Sequence, residues 1–570
     1  MNSFFRFHRR ILKMQGVRRG ALDHARARVM IISATFALFY IFIAVRAFDL
    51  SIIQYRVNDG VEPYVAAATG GTYRADIVDR NGVLLARTLE TASLYADPKM
   101  IPDPESVARD IVGVFGDLSF DDVLALLRRQ NRFVWVRRNL TPQEQYDILR
   151  LGHPGLSFIA ERSRVYPQGH LAAHLVGYTD VDGRGLAGIE RSFDEFLAKG
   201  GQKPLALSLD IRLQHILHRE LSAAIQKFSA QGGAGAIIDI ATGDVLAGVS
   251  LPDFDPHVPG QSNAENRFNK LTLGVYELGS TFKVFSTAAA LEKLDLSMAH
   301  RFDAREPLQR GRFRVSDFHP QKRVLSLPES FMHSSNIASA LIGEMVGTQA
   351  LKDFYSDLGL FTPMALEIRE IGRPLLPPRW REINTLTAAY GHGIAVTPLQ
   401  MMVAAAGIAN GGIRVEPTLL YDRPVREGGS VPDVRIVSER TAHRMRQLMR
   451  LAVTDGTGRQ ADIPGYRVGG KTGTAEKIGE RGYDRRRLIS SFVGFFPMEA
   501  PRSGVFVMVD EPRGTRETFG YATGGWVAAP TAGRIINAMA PLVGVEPDFA
   551  LSQDGRDPSA SLKRYISHGE

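Results

Sequence analysis

The chain has 570 residues, enough for two to four domains with a sizeable core, and it is 44% hydrophobic and 23% charged with no low-complexity block. The absence of cysteine excludes disulfides, thiolate zinc ligands and thiol catalysis together. The formal charge is +8, but residues 1–28 carry eight basic side chains against Asp23 alone and leave +1 for the remainder, so no nucleic-acid-binding domain is expected.

Those basic residues are Arg6, Arg9, Arg10, Lys13, Arg18, Arg19, Arg26 and Arg28. They precede Val29 to Val45, an uncharged run in which only Ser33 and Thr35 are polar. At 1.5 Å per residue this run spans about 26 Å, the short end of a bilayer crossing. Basic flanks stay in the cytoplasm, so everything after Arg46 is expected to be exported. A cleaved signal peptide would show a shorter apolar region followed by small residues, whereas Arg46, Phe48 and Asp49 follow here. A buried core helix would carry an amphipathic stripe, which this run lacks. The reading is a basic cytoplasmic tail (1–28) and a single transmembrane anchor (29–46).

Residues 50–205 read as short strands and turns with one or two helices. Asp79, Arg80, Asn81 and Gly82 form a turn signal between Ile77–Val78 and Val83–Leu85, which predicts a hairpin. Helical periodicity appears at 104–116 and 142–151, and again from Ile189 to Leu197. A second unit is expected over 206–545. It opens on a hairpin, 234–240 and 245–250 around Ala241–Asp244. A long helix-favouring stretch follows Ser280, and helices dominate to about 455. Strand-like runs at 491–497 and 504–510 precede a helix around Pro530–Met539. Strands at both ends with helices between them imply an α+β layout with an antiparallel sheet. Residues 546–570 are polar and read as a tail.

Three short motifs carry chemistry. Ser280, Thr281, Phe282 and Lys283 open the long helix. A serine hydroxyl is a weak nucleophile until a base takes its proton, and residues three apart on a helix share a face. Lys283 must be neutral to act, which burial and a second cation both favour. Ser334 and Asn336 form an S-x-N motif 54 residues later, suited to relaying a proton and holding an amide, though alone it reads as a helix cap or loop. Lys471, Thr472, Gly473 and Thr474 follow Gly469 and Gly470. That lysine supplies the second cation, the threonines can bond a carboxylate, and the glycine lets an extended peptide lie against a strand edge. Nucleophile, base, relay and carboxylate clamp together form an acyl-transfer site in the order expected of penicillin-binding proteins. The nearest metal constellation is His215, His218 and Glu220 in one expected helix, which reads as a solvated face because no H-E-x-x-H pattern supports it.

At these residues the chain resembles the class B penicillin-binding proteins, the monofunctional peptidoglycan D,D-transpeptidases. Arg74, Asp79, Arg80, Asn81, Gly82, Leu85 and Ala86 match one signature of the family's non-catalytic pedestal. Arg164, Tyr166 to Gly169, Ala172 to Asp180 and Gly185 to Glu190 match another. Leu207 to Gln214, Gly391 with Val396 to Gln400, and Gly524 to Pro530 are further landmarks. The resemblance implies a penicillin-binding/serine β-lactamase-like transpeptidase domain, an antiparallel sheet with helices on both sides, on an elongated mixed α/β pedestal of dimerisation type. Ser280 would be the acylated nucleophile, Lys283 the base, and Ser334, Asn336 and Lys471 further catalytic groups. Thr472, Gly473 and Thr474 would bind substrate, with the backbone N–H groups of Ser280 and Thr474 as the oxyanion hole.

The implied substrate is a stem peptide ending in D-Ala-D-Ala, and β-lactams would trap Ser280. No metal or cofactor is implied. A membrane glycosyltransferase and division-site proteins are the implied partners, the inner membrane the implied location, and the periplasm the implied compartment of the catalytic domain. Length, pedestal wording and the short tail favour the septal, division-specific type over the elongation type. Two departures, His257 after Phe254-Asp255-Pro256 and the longer approach Tyr521 to Trp526, bear on the active-site rim. The basic stretch Arg485, Arg486 and Arg487 reads as a solvated loop. Rival readings are a class D-like serine β-lactamase, a β-lactam sensor and a silent division scaffold. The first lacks an obvious deacylation element, the second a cytoplasmic effector, and the third has no use for the full motif set.

Overall fold

The computed structural model describes residues 73–200, 203–421, 434–479, 482–549 and 557–566, with scattered positions between 30 and 43. It divides into Met1–Gly71 and Thr72–Glu570. In the first unit Met30, Ala34, Phe36–Ile41 and Ile43 are helical, and the rest of the expected anchor lies outside the described residues. No helix among the described residues is long and apolar enough to cross a membrane.

The second unit begins with a five-stranded sheet. Leu84–Ala96 pairs with Ile77–Val78, Val134–Leu140 and Leu156–Val165, all antiparallel, while Leu205–Ala206 pairs in parallel with Ile77–Val78. The expected hairpin is present, and it is held by one side chain. Asp79 Oδ1 accepts from the backbone N–H of Asn81 and of Val83 at 2.8 Å each, and Gly82 takes φ +80°, which a β-carbon would strain. The periodic stretches form helices Pro104–Val114 and Pro142–Leu151, started by Asp103 and by a Thr141/Glu144 capping box. A third helix, Phe120–Leu127, exceeds the one or two expected. The stretch 189–197 is broken at Phe193 into Gly188–Ser192 and Asp194–Ala198.

The second sheet is wholly antiparallel, in the order Gly469–Gly479, Gly482–Phe496, Ser503–Asp510, Gly232–Asp239, Val245–Leu251. Alternation along its strands explains why helices cover both faces. Val505, Val507 and Ile237 pack on one side with residues of Ile211–Lys227 and Ala528–Met539. Phe506, Met508, Ala236 and Ile238 pack on the other with Lys283–Leu294, Pro398–Ala409 and Glu439–Thr454. The helix Lys283–Leu294 buries nine of its twelve residues, so it has no polar face to read. The basic stretch 485–487 is not a loop. It belongs to the strand Gly482–Phe496, which the sequence placed only from 491 because charged residues in an exposed hairpin break the apolar run. Residues 557–566 lie on the helical side of the domain, where Asp557 accepts from Arg450 Nε at 2.8 Å and Leu562 is buried.

The junction between the two sheets is built from the quoted signatures. Asp79 Oδ2 accepts from Ile211 N–H, so the hairpin turn also caps the first helix of the second domain. Behind it, within the first domain, Arg74 and Arg164 each donate to the buried Glu190 at 2.7 Å. His257 sits at this junction and not at the active-site rim, its Nε2 bonded to the backbone N–H of Tyr166 at 3.0 Å.

Candidate active site

Ser280 lies in a tight 3-10 turn, Gly279–Phe282, that runs directly into the buried helix Lys283–Leu294. Phe282 and Phe285 pack edge to face beneath it at 5.4 Å, fixing the turn from below. The strand Gly469–Gly479 crosses over the turn as the outermost strand of its sheet. Two glycines make that approach feasible. A β-carbon on Gly279, whose φ is +56°, would stand 2.5 Å from Thr474 O. One on Gly473 would stand 2.4 Å from Leu278 O and 2.3 Å from Ser491 Oγ.

The second motif reaches the same place by strain and capping. Ser334 takes a left-handed φ of +58°, and the residue after it, Ser335, caps the helix Asn336–Val346 by accepting from Ala338 N–H. The cap reading of this tripeptide therefore fits its middle residue, leaving Ser334 and Asn336 free to point at the lysines. Lys283 Nζ donates to Ser334 O at 2.6 Å, to Asn336 Oδ1 at 2.8 Å and to Ser334 Oγ at 3.1 Å. From the opposite side Lys471 Nζ donates to Ser334 Oγ at 2.9 Å and to Thr472 O at 3.2 Å. One serine hydroxyl thus stands between two amines. Ser280 lies one helical turn before Lys283, but the hydrogen bonds of that lysine run to the second motif.

Both lysines are buried, at 1% and 0% exposure, without a carboxylate hydrogen-bonded to either. Burial, then the nearby charge of Lys471, holds the Lys283 ammonium well below the ordinary lysine range. Burial pushes Lys471 down to about 7. Near neutral pH the pair is therefore poised to hold fewer than two protonated amines. A neutral Lys283 can keep its two N–H bonds to Ser334 O and Asn336 Oδ1, which only accept, and leave its lone pair for a hydroxyl proton.

Sequence reasoning missed the groups that hold these motifs. Asp317 Oδ2 accepts from Ser335 Oγ at 2.9 Å and Oδ1 from Ile337 N–H at 3.0 Å, while Asn336 Nδ2 donates to Ser316 O. No spacing rule links 317 to 335, because the contact is made by the fold. On the other flank Tyr483 Oη and the N–H of Gly393 both donate to Glu277, and His392 stacks on Tyr483 at 5.3 Å. Burial raises the Glu277 carboxyl, and burial with the Lys283 charge pushes His392 down to about 4. Thr472 Oγ1 lies 2.7 Å from Thr457 Oγ1, and Thr474 Oγ1 accepts from Gly524 N–H at 3.0 Å. All of the third-motif residues, Ser334, Asn336, Lys283 and the Ser280 turn are thus brought to one cleft.

Comparison with known proteins identifies both domains. Residues 233–537 match the penicillin binding protein transpeptidase domain, and residues 70–203 the penicillin-binding protein dimerisation domain. The chain is 38% identical over 538 residues to the probable peptidoglycan D,D-transpeptidase FtsI of Caulobacter vibrioides, covering 92% of this chain and 90% of that one. It is 29% identical over 525 residues to the peptidoglycan D,D-transpeptidase FtsI of Escherichia coli, covering 85% and 86%. A crystal structure of penicillin binding protein 3 from Mycobacterium tuberculosis with aztreonam superposes with a TM-score of 0.66 at 25% identity, covering 84% of this chain and 97% of that one. With both domains matched and 92% of the chain covered by a relative, the chain belongs to the class B penicillin-binding proteins, as a peptidoglycan D,D-transpeptidase of the septal type.

Proposed function

We propose that this protein cross-links peptidoglycan stem peptides at the division septum through an acyl-enzyme on Ser280. The observation that carries the reading is Ser334 Oγ standing 3.1 Å from Lys283 Nζ and 2.9 Å from Lys471 Nζ, beneath an outermost strand that can accept an extended peptide. The donor peptide adds along Gly469–Gly479, and its terminal carboxylate meets Lys471 and the hydroxyls of Thr472 and Thr474. Neutral Lys283 takes the Ser280 proton as Oγ attacks the penultimate D-Ala carbonyl. The charge that develops on the carbonyl oxygen is met by the backbone N–H groups of Ser280 and Thr474. Ser334 passes a proton to the departing D-Ala amine, and Asn336 holds the donor amide. An amine from a neighbouring stem peptide then attacks the ester, forming the cross-link and returning the proton to Ser280. A β-lactam enters by the same first step and stays on the serine.

Residues 29–46 anchor the chain in the inner membrane with residues 1–28 in the cytoplasm and the catalytic domain in the periplasm. A membrane glycosyltransferase and division-site proteins are the partners this placement calls for. The test is full-length protein in detergent given a D-Ala-D-Ala stem peptide as donor and a second stem peptide as acceptor. Release of one D-Ala per cross-linked product supports the reading. Hydrolysis of β-lactam with no cross-linked product would favour a β-lactamase and reject it.

A further inference from the structure

The helix histidines expected to be solvated are not equivalent. Glu220 is engaged by Arg219 and Arg534, whereas His218 turns away from it toward the pedestal. There His218 Nε2 lies 2.8 Å from Asp253 Oδ2, and its ring sits 5.1 Å from that of His170. One ligand atom from each of His170, His218 and Asp253 lies within 4.8 Å of the others. The three come from three elements: His170 from the turn Gly169–Ala172, His218 from the helix Ile211–Lys227, and Asp253 from just beyond the strand Val245–Leu251. Gln214, one turn before His218, fixes these elements to one another. Its Nε2 donates to Leu171 O at 2.6 Å and to Gly248 O at 2.8 Å, and its Oε1 accepts from Gly248 N–H. The three donors are therefore held on a rigid frame. His170 and Asp253 face a cavity of about 500 Å³ lined also by Tyr166, Asp255 and His257.

We propose that His170, His218 and Asp253 form a binding site for a divalent transition-metal ion, zinc foremost, that clasps the pedestal to the catalytic domain. Two imidazoles and one carboxylate suit zinc, with water from the cavity completing four-coordination. Tetrahedral coordination at 2.0–2.1 Å sets ligand atoms about 3.3 Å apart. His218 and Asp253 are already closer than that. His170 is the exposed member, and its side chain is the one that would move to close the remaining gap. The set contains no thiolate and is not all carboxylate, so magnesium and calcium are disfavoured. The site stands apart from Ser280 and does not depend on the chemistry proposed there.

Untagged full-length protein in detergent, stripped with chelator, tests this by titration with zinc chloride followed by calorimetry, with magnesium chloride as comparison. The wild type should bind one zinc per chain, and its thermal midpoint should rise with zinc concentration. His170→Ala and Asp253→Asn should each weaken that binding by at least about tenfold, while His215→Ala on the same helix should not. His170 is exposed, so its variant should fold, and penicillin labelling of Ser280 checks this. Equal zinc binding by wild type, His170→Ala and Asp253→Asn, or no zinc-dependent rise in the midpoint, would overturn the proposal and leave His218 and Asp253 as a simple hydrogen-bonded pair.

Discussion

As the proposed base, Lys283 would work only without its proton, a state favoured by burial and then by the charge of Lys471, and opposed by the charge of Asp317. Replacing it by alanine should slow acylation by about 10²–10⁴-fold, the usual contribution of a positioned base, with the thermal midpoint preserved. The pH dependence follows with a definite sign. Acylation should rise with pH as Lys283 deprotonates, with the midpoint of that limb below the ordinary lysine value. Removing Lys471 removes a like charge, so Lys471→Ala should move the limb to higher pH in stopped-flow acylation. A limb that stays put would show that burial alone sets it. Stability responds as well. Lys471 titrates at about 7 in the fold and near 10.4 when unfolded, so between those values the unfolded chain binds more protons. Its burial penalty is therefore felt in full below 7 and is relieved as pH rises toward 10.

At the scale of elements, the site is a strand laid over a turn, with no room for a side chain between them. Gly473→Ala would push a methyl group against Leu278 O and Ser491 Oγ, and should cost about 1–3 kcal/mol and slow acylation together. Asp317→Ala should act differently. It frees the second motif from its two bonds, which costs about 1–3 kcal/mol, and should reduce acylation while leaving Ser280 labelling detectable after long exposure. These contacts also explain what was legible. The three motifs could be read because their residue types are chemically unusual at fixed spacing. The hairpins could be read because turn residues punctuate apolar runs, as at Asp79 to Gly82. Asp317, Glu277 and Tyr483 could not, since each meets its partner across a loop or from another element. Helix Phe120–Leu127 escaped because its two turns are short and follow closely on another helix. The 485–487 strand escaped because its residues face solvent, Arg485 and Arg486 being more than nine-tenths exposed.

At the scale of the whole chain, the first domain is held together by buried ionic contacts and meets the second through hydrogen bonds such as Ile211 N–H to Asp79 and Tyr166 N–H to His257. Glu190 is fully buried between Arg74 and Arg164, and its removal leaves Arg164 buried without its carboxylate partner. Glu190→Ala should therefore destabilise the protein by about 3–5 kcal/mol, read as a fall in the thermal midpoint. An unchanged midpoint would mean that these buried ion pairs contribute little to holding the fold. The family signatures in the pedestal were legible as words in the sequence, but their physical purpose became apparent only in the fold, where Asp79 and Tyr166 meet the second domain and Glu190 holds Arg74 and Arg164 within the first.

The most direct test of the central claim is exposure of full-length protein in detergent to a fluorescent penicillin, beside its Ser280→Ala variant. A labelled band that persists for many minutes on the wild type and is absent from the folded variant is the predicted result. Labelling of Ser280→Ala equal to wild type would contradict the assignment of the nucleophile, and rapid loss of the wild-type band with hydrolysis of the drug would contradict a transpeptidase.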